Sequence, residues 1–89
     1  MFQVLYSPGA AKSLKKIQRE TAKRIVKAVD ALSEVDDPKR YIKKLKGSFG
    51  VPLYSFRVGG YRVILSLDGE ALIIYVVDVG DRSTVYRGY

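Results

Sequence analysis

The stretch Leu53–Asp78, LYSFRVGGYRVILSLDGEALIIYVVD, constrains this chain more than any other. Runs rich in Val, Ile, Tyr and Phe are broken by Gly59-Gly60 and by Asp68-Gly69. Gly-Gly or Asp-Gly between such runs is a strong hairpin signal, so three consecutive antiparallel strands are expected. With Gly59-Gly60 as a two-residue turn, Val58 faces Tyr61, Phe56 faces Val63 and Tyr54 faces Leu65. Side chains alternate along a strand, so these six share one apolar face and pack on a core. The other face then sets Arg57 opposite Arg62 and Ser55 opposite Ile64. Like charges directly opposite on a sheet repel. A fold accepts that on a solvated face, or uses it where an anion binds.

The remaining elements follow in order. Phe2–Tyr6 reads as an opening strand. Ser7-Pro8 is a helix start, since Ser caps free N–H groups and Pro suits the first helical position. Ala10, Leu14 and Ile17 then share a helical face. A break near Gln18–Glu20 leads to a second helix, with Thr21 as its expected cap and Ala22, Ile25, Val26, Val29 and Leu32 at helical spacing. Asp36-Asp37-Pro38 ends it, because the residue before Pro is pushed out of the helical region. Within Pro38–Lys46, Tyr41, Ile42 and Leu45 are spaced to anchor a further helical turn, and Gly47–Pro52 is a loop into the sheet. Ala71–Val79, apolar at nearly every position, suits a central strand covered on both sides. A two-residue turn at Asp68-Gly69 sets Tyr75 across from Arg62. The expectation is one α+β domain over residues 1–89: an N-terminal strand, a two-helix hairpin packed on one sheet face, a three-stranded antiparallel meander and a short C-terminal tail.

Eighty-nine residues support one two-layer core and leave little room for a deep pocket. The chain has no cysteine and no histidine. Disulfides are excluded, the usual zinc ligands are missing, and no cofactor is expected. Nucleophilic catalysis of the Ser-His-Asp or Cys-His kind is excluded as well. Any catalysis falls to Arg, Lys, Tyr, Ser or carboxylates. The apolar run Phe2–Tyr6 is too short for a signal peptide, and no segment is long enough to span a membrane, so a cytoplasmic protein is expected. The formal net charge is +7. From Lys39 to Leu67 there are seven basic residues, Lys39, Arg40, Lys43, Lys44, Lys46, Arg57 and Arg62, and no acidic one. One sign of charge segregated over a third of the chain points to a polyanion.

Four motifs occur in order: Lys44-Leu45-Lys46-Gly47, Leu53-Tyr54-Ser55-Phe56-Arg57-Val58, Gly60-Tyr61-Arg62-Val63, and Val79-Gly80-Asp81-Arg82 followed by Val85-Tyr86. Together they resemble the RelE toxins of the RelE/ParE superfamily, the toxin halves of toxin–antitoxin pairs. The resemblance implies a metal-independent mRNA endonuclease acting in the ribosomal A site. There the ribose 2′-OH attacks the adjacent phosphate and leaves a 2′,3′-cyclic phosphate. The family's catalytic arginine on the Gly-Tyr-Arg strand matches Arg62, the arginine after the last strand matches Arg82, and the C-terminal tyrosine matches Tyr86. The family's two lysines before the turn fall at Ser55 and Arg57. Arg57 keeps a charge but cannot act as a base, since its guanidinium is already protonated and has no site to accept a proton. On this reading Arg57 and Arg62 clamp non-bridging phosphate oxygens, Arg82 neutralises or protonates the leaving oxygen, and Tyr86 stacks a base or exchanges a proton. Lys39, Arg40, Lys43, Lys44, Lys46 and Ser55 bind message or ribosome. The implied partners are the ribosome, its mRNA and a cognate RelB-like antitoxin whose flexible segment wraps the basic surface; no membrane is involved. Two other readings stand beside it: a ParE-like inhibitor of DNA gyrase that cuts nothing, and a catalytically weak antitoxin- or nucleic-acid-binding member.

Overall fold

One five-stranded sheet, covered on one face by two helices, organises the protein in a computed structural model that describes residues 1–46 and 50–81. Strand β1 (Gln3–Tyr6) leads into helices α1 (Pro8–Lys16) and α2 (Arg19–Glu34), then a 3-10 helix (Pro38–Tyr41). Strands β2 (Lys43–Lys44), β3 (Tyr54–Val58), β4 (Tyr61–Asp68) and β5 (Ile73–Asp81) complete the sheet in the order β1-β5-β4-β3-β2. All neighbours are antiparallel except β1 and β5. Parallel pairing requires a crossover, and that is where the two helices sit.

The first hairpin has the expected register: Tyr54↔Leu65, Ser55↔Ile64, Phe56↔Val63, Arg57↔Arg62 and Val58↔Tyr61. Gly59 holds a φ of 60°, which L side chains rarely adopt. The apolar face packs as expected. Val58, Val63, Leu65, Ile74, Val76 and Val79 are buried against Ala10, Ile25, Val29 and Leu32 of the helices.

Ser7 joins the layers. Its hydroxyl accepts from the Ala10 N–H at 2.9 Å and donates to the Val77 carbonyl at 2.7 Å. The β4–β5 ladder steps from Ile64↔Asp78 to Leu65↔Val76, so Val77 is an extra residue in a bulge. Ser13 donates to the Asp78 carboxylate at 3.1 Å. Helix α1 thus covers the part of the β5 edge that β1 does not pair, which shields it from edge-to-edge association.

Several expectations change. Helix α2 begins at Arg19, two residues before Thr21, with Gln18 at the cap position and no side-chain cap bond. Ile17 is extended and packs on the core, so tertiary anchoring sets that corner. Pro38–Lys46 is helical only over its first four residues, Pro38–Tyr41. A single 3-10 turn gives way to β2, which pairs Lys43↔Ser55 and Lys44↔Tyr54. The open edge of β3 offers backbone groups that a strand satisfies and a helix does not. Finally, Asp68 pairs with Ile73, so the second connection is longer than two residues and β5 starts at Ile73 rather than Ala71. The Asp68 carboxylate accepts from the N–H groups of Glu70 and Ala71, and Leu72 turns the chain at a φ of 56°. Tyr75 therefore faces Ser66, while Arg62 faces Gly80.

Candidate functional site

Strand pairing decides which cations meet. Arg57 and Arg62 are directly opposite on the sheet face away from the helices. The Lys43↔Ser55 pair lies on the same face one row along, because alternate strand positions share a face. The 3-10 helix brings Arg40 and Tyr41 beside them. The result is a cleft of about 380 Å³ lined by Arg40, Tyr41, Ile42, Lys43, Ser55, Arg57 and Arg62. Arg57 is exposed, with a long 3.5 Å hydrogen bond from its Nε to the Gly59 carbonyl; Arg62 is half-buried. The row is not uniformly solvated, since Ser55 and Ile64 on this face are buried. Gly80, opposite Arg62 on β5, adds no side chain to the arginine row.

No carboxylate lines the cleft among the described residues. Asp68 and Glu70 instead line a hollow of about 670 Å³ near the β4–β5 turn, with Leu5, Ile73 and Tyr75. The cleft thus concentrates positive charge at the β2–β3–β4 side. Two guanidinium forks and a lysine there suit the oxygens of one phosphate and its neighbour.

The basic run divides. Arg40 and Lys43 join Arg57 and Arg62. Lys44 pairs with Tyr54, whose ring packs on the helix side, so Lys44 belongs to the opposite face. Lys39 lines a separate hollow with Asp36 and Asp37, and Lys46 is exposed beyond β2. Arg82 and Tyr86 lie outside the described residues, as does part of the Gly47–Pro52 loop. Tyr41 is the residue that sequence reasoning missed: expected as an anchor, it is 59% exposed beside the cations. The signal was present, an aromatic inside the basic run Lys39-Arg40-Tyr41-Ile42-Lys43-Lys44.

The structure defines a small basic α+β domain with cations gathered on the sheet face away from the helices, and comparison with known proteins gives its class. A family model described as the ParE toxin of type II toxin–antitoxin system matches residues 4–86. The chain belongs to this family, within the RelE/ParE superfamily of type II toxins. It is similar in structure to a chain of the RelBE2 toxin–antitoxin complex of Mycobacterium tuberculosis, at 25% identity and a TM-score of 0.79 over 92% of each chain. It is also similar to one in the archaeal RelE–RelB complex of Pyrococcus horikoshii, at 24% identity and a TM-score of 0.74 over 94% of this chain and 98% of that one. A chain of the intact Escherichia coli RelBE complex aligns at 20% identity and a TM-score of 0.68 over 91% and 96%. Among curated protein sequences, none matches. Among the described residues, no helix is long and apolar enough to cross a membrane.

Proposed function

We propose that this toxin is a ribosome-dependent mRNA endonuclease acting in the cytoplasm, held in check by a RelB-like antitoxin. The observation that carries the reading is the Arg57↔Arg62 register, with Arg40 and Lys43 in the same cleft. That arrangement suits in-line attack by a ribose 2′-OH. The 2′-oxygen–phosphorus bond forms, the bond from phosphorus to the 5′-oxygen breaks, and a 2′,3′-cyclic phosphate and a 5′-hydroxyl result. Charge on the non-bridging oxygens grows in the transition state, and fixed guanidinium donors stabilise it there more than in the ground state. Arg82 is assigned to the leaving 5′-oxygen and Tyr86 to base stacking or proton exchange, on family likeness alone. The chain offers no histidine, so alignment of the message by the ribosome supplies much of the acceleration. Similar toxins solved as complexes with their antitoxins support a cognate antitoxin here.

Induced expression should halt translation, with 5′ ends mapping inside translated codons. Arg62→Ala and Arg82→Ala should each relieve toxicity and leave the protein folded. A second reading rests on the family description itself, which names the ParE toxin. It makes the chain a gyrase inhibitor. Double-strand breaks and filamentation with messages intact would establish that reading and refute the nuclease.

A further inference from the structure

The helix layer carries a second basic surface, and the cleft does not account for it. Lys12, Lys15 and Lys16 of α1 and Arg19, Lys23, Arg24 and Lys27 of α2 are all exposed. Within residues 8–29 only Glu20 opposes these seven cations. The helices pack on the sheet face opposite Arg57 and Arg62, so the two basic surfaces point away from each other.

The helix dipole accounts for Lys15 and Lys16 in the last turn of α1, but not for the cations that open α2. A helix favours negative charge at its N-terminus and positive charge at its C-terminus. Helix α2 follows this only at Glu20: Arg19 and Lys23 also sit in its first turns, and its last turn has no base but holds Glu34. The last turn of α1 holds Lys15 and Lys16, which bunches like charges around the corner between the helices. Arg19, Lys23 and Lys27 recur every fourth residue, which spaces them about 6 Å apart along the axis in one slowly drifting row. Ala22 and Val26, half-buried, floor a shallow apolar hollow, and Arg19, Lys23 and Lys27 rim it with charge.

We infer that the α1–α2 surface binds the phosphate backbone of structured RNA, while the sheet cleft handles a separate single strand. This deepens the reading of the chain as acting on RNA and rests on it. The test uses the full chain, a short fluorescein-labelled RNA duplex of arbitrary sequence, and fluorescence anisotropy across a KCl series. The triple variant Arg19→Gln/Lys23→Gln/Lys27→Gln keeps good helix formers in place. It should weaken duplex binding at least about tenfold at the lowest salt and flatten the log–log salt slope by about 2 to 3. It should also melt no lower than the parent, because the lost charges oppose the helix dipole. Arg57→Gln/Arg62→Gln should leave duplex affinity within about twofold, since a sheet-face pair contributes little to a helix-face contact. Equal losses in both variants would overturn the proposal, since duplex binding would then not be confined to the helix face. An unchanged salt slope in the triple variant, with loss of binding to polyglutamate instead, would overturn it in favour of an acidic protein partner. Message cleavage is scored separately. Duplex binding lost in the triple variant supports the proposal even if no message is cut, which would refute only the nuclease. Cleavage without measurable duplex binding would overturn this proposal alone.

Discussion

Arg57→Gln separates a working anion site from a decorated surface, because it should make the protein more stable and less active at once. In the folded sheet Arg57 and Arg62 are directly opposed. Such like-charge pairs cost about 0.2–1 kcal/mol, and Gln relieves that cost. For a domain of this size the melting temperature should rise by about 1–6 °C. The rise should shrink in high salt, since Arg57 is exposed and its field is screened. Activity moves the other way. One charge-assisted hydrogen bond to the reacting phosphate is worth about 1.5–3 kcal/mol, a loss of about 10- to 150-fold in rate. Half-buried Arg62 is less screened, so Arg62→Gln should cost more, about 10²–10³-fold. The assay is single-turnover cleavage of a defined message on programmed ribosomes, beside thermal melts of the same preparations. Because the bonds tighten as charge develops, the loss should fall on kcat more than on KM. A rate unchanged by Arg57→Gln, or lost only as far as the protein is destabilised, would refute the clamp.

Three further outcomes test the geometry. Lys43→Gln should weaken ribosome binding and flatten its salt dependence while Lys44→Gln does neither, since the two lysines take opposite faces of β2; equal effects in a pelleting assay would refute that division. Ser7→Ala removes the α1 cap and strips the Val77 carbonyl of its donor, so urea melts should show a loss of about 1–2 kcal/mol. The Tyr6 hydroxyl is buried with no hydrogen-bond partner among the described residues, so Tyr6→Phe should stabilise by about 1 kcal/mol or more. Burial, and then the charge of Asp30, raise the Tyr6 phenol above its ordinary value. A raised folded value means its stability contribution is intact below about pH 10 and lost as pH climbs through that value, so the parent's deficit against Tyr6→Phe should widen in alkali.

Much of this protein is local and therefore readable residue by residue. Gly59-Gly60 admits a tight turn, and period-two alternation then pins every partner in the first hairpin, since a one-residue slip would turn its core face outward. Ser7-Pro8 and the stripe Ile25, Val29, Leu32 announce their helices for similarly local reasons. What lay beyond reading was decided by contacts distant in sequence. Both faces of β5 are apolar, so an even shift in its register leaves the same side chains on each face, and hydropathy could not choose among registers; the Asp68 turn and parallel pairing with β1 chose. The free edge of β3 drew Lys43 and Lys44 into a strand, sending one to the arginine cleft and its neighbour to the other side. Charge content was written in the chain, but which charges converge depends on hydrogen-bonded neighbours that only folding brings together.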